Sequence, residues 1–448
     1  MKKIYPVIFL LLGLYACRKT NTAQPQGNTF FKTYDTHLSN WNYSKSFIYA
    51  TGGITTDNEG NLYTWYFDTC LSHAYTANIL GALNTVAVLK TDKHGNMIWN
   101  RRLFAFTPAW IPRTYGLFSN DDFACIGDQL YLAGQDTNGH FTILKFNADG
   151  NYLGEIPLNG LAPAGAAIRG FYSMWPTKEG NLLLNFTCRQ PSLPETTAPY
   201  VVMVSASGAP IWQTSAFPFS VSDTLSDSSM LSSVVENNDG SFTFAGLGYN
   251  DNFGPFSYVQ TNIINCYHLD KNGRLLFARS LYEGSGLVAT GQQIQLYKCN
   301  GLVFFPKIFV GASGYIVGAT QLYDQTTDYD LKFFHSDTAF NVLDSSEIRE
   351  GSSVIELSAI MQKQNGNLIF TTWEDKPPSV TYLCHFYEMS PQYTIITKKQ
   401  IGLNNLATTV SGITLNDGDH IAITGLIQPL GVDTGKLFIL KMDNNELY

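Results

Sequence analysis

Charge is scarce in this chain. Asp, Glu, Lys and Arg make up only 14% of its 448 residues, well below the roughly 25% of ordinary soluble domains. The net charge of −8 is spread without acidic blocks or basic runs. Phosphate backbones need a concentrated positive face, so nucleic acid is excluded as a partner. Long helical patterns are missing too, which removes helical bundles and alternating βαβ folds. Histidines never stand at His-x-His or His-Glu-x-x-His spacing, so no metal site is expected. No stretch asks for a cofactor either. Beyond Cys17 there are six cysteines, Cys70, Cys125, Cys188, Cys266, Cys299 and Cys384, with no shared spacing. That scatter leaves room for one bridge between loop cysteines but not for a disulfide scaffold.

What the chain has instead is aromatic residues, also 14%, together with 38 Gly and 18 Pro. Such a mixture favours short strands and tight turns. A strand, a Gly turn and a second strand recur as "ITTDNEGNLYTWYF", "DFACIGDQLYLAGQ", "YSMWPTKEGNLLLNFT", "SVVENNDGSFTFAGLG", "KIFVGASGYIVGAT", "SAIMQKQNGNLIFTTW" and "GITLNDGDHIAITG". Between them lies a second kind of hairpin, clearest in "VAVLKTDKHGNMIWNRRL" and "CYHLDKNGRLLFARSL". Asp or Asn before Gly supplies the positive φ of tight hairpin turns. Each unit therefore has four strands, and seven such units predict an all-β fold, a seven-bladed β-propeller over residues 28–448. The last unit lacks most of its fourth strand. "NTFFKTYDTH", residues 28–37, resembles the fourth strands elsewhere and is expected to complete the final blade beside residues 437–443.

The N-terminus reads "MKKIYPVIFLLLGLYAC". Two lysines precede an apolar run of about 13 residues, too short for a comfortable bilayer span. The run ends in Leu14-Tyr15-Ala16-Cys17, which resembles a bacterial lipobox. The resemblance implies a signal peptide at 1–17, lipid (palmitate among the acyl chains) on Cys17, and attachment to the membrane of the cell envelope. Residues 18–27 are polar and read as a tether. Arg18 after the cysteine, by resemblance to bacterial sorting rules, points to the outer membrane rather than the inner one.

The repeats themselves resemble those of envelope-lipoprotein propellers, through Lys90, Asp92, Gly95, Asn96 and Trp99. A more distant likeness to quinoprotein dehydrogenase repeats rests on Trp99 and Trp212 alone and implies no quinone here. Chain order in a propeller sets turns between strands one and two, and three and four, on one face. Those are the Gly turns. The longer connections fall on the other face, at residues 68–83, 105–120, 188–199, 214–230, 249–262 and 281–307. Trp110, Tyr115, Phe118, Tyr249, Phe253 and Tyr258 in these segments are the ligand-binding candidates, since aromatics interleaved with Gly, Asn and Asp suit sugar faces or protein hot spots.

Catalysis finds little support. Lys90, Lys145, Met203, His268, His335, Glu388 and Lys441 share one register of the third strands, which are not innermost, and their polar heads are expected to serve structure. First strands offer only Asp57, Glu236 and Asp417, all near turns. Ser313 in "GASGY" lacks a nucleophile elbow. The expected protein is a monomeric, non-enzymatic binding module for a glycan or a protein. Its alternatives are a scaffold in an outer-membrane complex and a glycan-active or quinone-dependent enzyme.

Overall fold

The computed structural model describes residues 29–35, 51–69, 85–102, 111–112, 122–135, 140–190, 193–215, 228–254, 257–290, 293–295, 302–322, 329–348, 354–375, 382–402, 406–416, 420–429 and 435–442. Within them the chain is strand and turn, apart from one short 3-10 turn at Asn159–Leu161. Four-stranded antiparallel meanders repeat seven times as the blades of a β-propeller. Blade 1 consists of Thr51–Thr56, Leu62–Thr69, Thr85–Thr91 and Met97–Arg102. Blades 2 to 6 begin at Phe123, Ala167, Ser228, Leu302 and Val354. Blade 7 takes its first three strands from Leu406–Asn416, His420–Pro429 and Lys436–Met442. A single parallel bridge, Thr197 to Ser228, links blades 3 and 4 into one continuous sheet.

The fourth strand of blade 7 is Phe30–Asp35, antiparallel to Lys436–Lys441 with Phe31 opposite Leu440. The sequence expectation of shared closure thus holds. Lys32 Nζ donates to the His94 carbonyl at 2.8 Å, and Tyr34 Oη donates to that of Gly95 at 2.7 Å, tying the strand to blade 1. Phe30 and Tyr34 also pack against the apolar cluster shared by blades 7 and 1.

Turn chemistry explains the recurring Asp-x-x-Gly-Asn phrase. The carboxylate of Asp57 accepts from the N–H groups of Glu59 and Asn61 at 3.0 and 2.9 Å. Asp92, Asn147, Asp270 and Asp337 repeat this pattern with the residues two and four positions later. One short side chain satisfies two backbone donors and fixes the bend, which is why Asp and Asn lead the turns.

Apolar side chains do not meet in one central core. Among the described residues they form seven clusters, each made by two neighbouring blades. Tyr63 and Val88 of blade 1, for example, pack with Leu132 and Phe146 of blade 2. At the rim, a residue early in one fourth strand docks on the next blade's last turn. Trp99 lies over Gly150, Trp212 over Gly273 and Phe30 over Gly95. Those glycines have φ of +75°, +80° and +72°, where any side chain is disfavoured and where it would strike the docked ring. Two of the described turns carry a side chain in the glycine's place: Phe340 at φ 59°, packed against Phe277, and Tyr393 at φ 61°, after a blade whose residue at the docking register is Asp344.

The outermost strands of blades 1 to 6 each contain a β-bulge just after that turn. Ile98, Leu153, Ile211, Leu276, Leu343 and Ile396 are the extra residues, each about half exposed. A bulge breaks the regular ladder at a free edge and hinders pairing with another chain.

Two glycine substitutions separate conformational strain from docking. Gly127 has φ +61° with open space around it, whereas Gly273 has φ +80° beneath Trp212. Gly127→Ala should lower unfolding free energy by about 1 kcal/mol, and Gly273→Ala by about 2–4 kcal/mol as the indole is displaced. Urea titration of both variants measures the difference, and equal losses would show that docking contributes nothing.

Candidate functional site

Because each blade is an antiparallel meander, its turns sort onto two faces as anticipated. The Gly turns at Gly60, Gly127, Gly180, Gly240 and Gly366 lie on one, with Gly95, Gly150, Gly208 and Gly273 beside them. The opposite face differs from expectation in form. The described residues of the segments read as loops at 188–199 and 249–262 are strands that continue. Blade 3 pairs Leu182–Gln190 with Leu193–Val204. Blade 4 pairs Phe242–Gly254 with Ser257–Leu269, from Phe242 opposite Leu269 to Gly254 opposite Ser257. Its rim strand runs from Leu275 to Thr290 and receives Gln293–Gln295 as a short return, within the segment read as the 281–307 loop. The β-branched and aromatic residues of these segments already carried a strand signal, which their Gly and Asn content obscured.

Of the binding candidates, Tyr249, Phe253 and Tyr258 fall on this long blade-4 hairpin. Phe253 is paired directly with Tyr258, and Tyr249 with Asn262. Trp110, Tyr115 and Phe118 lie outside the described residues, as do Cys17, the tether and Asp417. Cys125, Cys188, Cys266 and Cys384 are thiols outside any disulfide among the described residues, and Cys384 Sγ donates to the Thr408 carbonyl at 2.9 Å. Burial, then the neighbouring Asp57 charge, pushes the Cys125 thiol up to about 12, so none of its reactivity as a thiolate is on offer near neutral pH. Cys70 and Cys299 are outside the described residues.

The geometry of the polar groups on the tight-turn face shows what they do. Lys90 packs over the Tyr63 ring and donates to the Ala148 carbonyl of blade 2 at 3.3 Å. Lys441, in the same register, donates to the Lys93 carbonyl of blade 1 at 3.1 Å. These heads clip one blade to the next turn, as expected from their stems. In blade 6 the register residue Glu388 instead accepts from Lys363 Nζ at 3.1 Å and Asn367 at 2.6 Å. His268 shares a network with Thr243, Tyr315 and Asn237, spanning blades 4 and 5 at 2.9–3.3 Å. Burial holds the His268 imidazole below its ordinary pKa, with the Asp239 charge opposing.

Of the first-strand acids, Asp57 accepts from Tyr63 Oη at 2.8 Å and lies 3.7 Å from Lys90 Nζ. Glu236 accepts from the Lys178 backbone N–H at 2.7 Å. Both are engaged in joining blades or shaping turns. One contact was not legible in sequence. Ser313 Oγ and His335 Nε2 are 3.1 Å apart on this face. Asp344 stands opposite His335 in the ladder, but its carboxylate accepts from the Ser345 N–H at 2.7 Å. With the imidazole not oriented by a carboxylate, the pair lacks the third member of a nucleophilic triad. Among the described residues there is no group of three His, Cys, Asp or Glu side chains that could hold a metal.

Burial raises the Asp57 pKa, but hydrogen bonds from Asn61, Tyr63 and Glu59 outweigh it and leave the group below its ordinary value. A depressed folded-state pKa stabilises the fold above the unfolded value near 4 and loses that contribution as pH falls through the folded value. Asp57→Asn should therefore flatten the decline of Tm between about pH 4 and pH 2, read by calorimetry. At the buried pair, Lys363→Met alone should cost about 3–5 kcal/mol by leaving Glu388 uncompensated, while Lys363→Met with Glu388→Leu should recover most of it. Denaturant unfolding of the three proteins checks the cycle.

No protein-family model and no curated protein matches the chain. Solved structures do. A protein of unknown function from Dyadobacter fermentans DSM 18053 is 10% identical, with 92% of this chain and 99% of that one covered at a TM-score of 0.45. The WD40 domain of Toxoplasma gondii coronin is 11% identical, with 94% and 89% covered at 0.44. A puromycin hydrolase is 9% identical, with 91% and 55% covered at 0.51. This chain spans about half the length of that hydrolase. What it shares with them is the β-propeller.

Proposed function

We propose that this propeller is a binding module of the bacterial cell envelope, anchored through lipid on Cys17, that takes a glycan or a protein on the face opposite its tight turns. One observation carries the reading. The blade-4 hairpin continues to Gly254 and Ser257, whereas the matching blade-6 hairpin ends at Asp375 and Tyr382. Counted from the same register, blade 4 reaches about five residues further, or about 17 Å at a strand's rise. A hairpin projecting from a rigid wheel is the kind of element on which recognition resides. It brings Tyr249, Phe253 and Tyr258 into one ladder, and aromatic residue types are enriched where proteins recognise partners. The polar groups of the other face support the same division of labour, being occupied with turns and blade junctions.

Glycan arrays and envelope pull-downs with the full-length protein test this reading, beside a variant lacking residues 249–262. Capture of a glycan or protein by the intact chain, reduced at least tenfold in the variant, is the expected result. Equal capture by both would move the site elsewhere, and turnover of a glycoside or alcohol without any capture would sink the binding reading.

A further inference from the structure

The register of the closing strand fixes where the polypeptide joins the wheel. Phe30 pairs with Lys441, at the end of the Lys436–Met442 strand. It sits beside the blade-1 turn, with its ring over Gly95. The strand then runs toward the opposite face, with Asp35 beside Lys436. The chain therefore joins at the rim of the tight-turn face. Twelve peptide steps separate Cys17 from Thr29. Whatever their conformation, they reach at most about 41 Å, and a flexible chain of that length spans about 20 Å on average.

We infer that the tight-turn face lies toward the lipid surface and the blade-4 hairpin points away from it. This rests on the Cys17 anchor of the proposed function. The reverse orientation would place the ends of the hairpin, Gly254 and Ser257, at the membrane. Phe30 shares its register with Phe277, which pairs with His268, itself opposite Thr243. From Thr243 to Gly254 the hairpin rises about 37 Å. The tether would then have to run nearly fully extended along the whole height of the wheel, at a large cost in chain entropy. Toward the tight-turn face it needs no extension. That face also suits a headgroup layer, because its turns are short, polar and internally hydrogen-bonded, and they leave few backbone groups for lipid to strip of water. The recognition surface is thereby presented to partners arriving from the aqueous side.

The test uses full-length protein extracted from membranes and returned to phospholipid vesicles that carry an energy-acceptor dye on their headgroups. A donor fluorophore is attached through a non-natural residue at Glu179, which is exposed in a blade-3 tight turn, or at Ser257. Transfer at least threefold greater from position 179 than from 257 is expected. Equal transfer, or greater transfer from 257, overturns the orientation. Mass spectrometry of the N-terminal peptide separates the two ideas. An acylated Cys17 with reversed transfer leaves the anchor standing and removes the orientation. A peptide without acyl chains removes the anchor, and the orientation with it.

Discussion

Every apolar cluster among the described residues lies between two blades, so no blade buries its own faces alone. A sheet in the row needs a neighbour on each side, and a row of seven has two unsatisfied faces unless its ends meet. Closure is thus the constraint on which the rest depends. It is met by the cluster of Ile54, Leu62, Tyr66, Leu437 and Ile439, and by a strand from the start of the chain lying against one from its end. Hydrogen bonds follow the same route around the wheel. Asn416 Nδ2 donates to the Gly60 carbonyl at 2.9 Å across the closing junction. Trp65 Nε1 donates to Asp122 at 3.2 Å across the first. Ser232 Oγ donates to the Pro306 carbonyl at 2.5 Å between blades 4 and 5. Apolar burial supplies most of the driving force, and these bonds satisfy the polar groups that burial would otherwise strand.

The division between the two faces follows from that architecture rather than from any single residue. Tight turns are held by one Asp, Asn or Ser oxygen receiving two backbone N–H groups, and they tolerate little elaboration. On the other side the strand lengths of the blades diverge. The puromycin hydrolase that resembles this chain shares about one residue in ten with it. Identity at that level fixes a fold and leaves chemistry open.

Much of the wheel was legible beforehand because its signals are local and repeated. The Asp-x-x-Gly-Asn phrase names its own turn, and seven copies name the ring. Even the closing strand could be read, since "FFKTYD" shares the aromatic start and alternation of other rim strands. The extended hairpin was not legible in the same way. Asn and Gly at positions 250–254 lie in the segment 249–262 read as a loop, and only pairing of residues 249–254 with 257–262 makes them strand, a non-local effect that overrides propensity. The Ser313–His335 contact was hidden for a similar reason. Its partners are 22 residues apart, and their approach depends on the blade's register rather than on a motif. That Tyr249, Phe253 and Tyr258 share one hairpin was likewise not legible, because it follows from the same non-local pairing.

The shared final sheet also bears on when the protein can become folded. Phe31 leaves the ribosome among the first residues, yet its partner Leu440 is synthesised about 400 residues later. Bringing such distant segments together costs about 5 kcal/mol in loop-closure entropy if nothing in between is ordered, and much less once the intervening blades have stacked. The strand that begins the wheel is therefore the last to find its place, and the blades remain an open arc until the strand at Lys436–Met442 has been made.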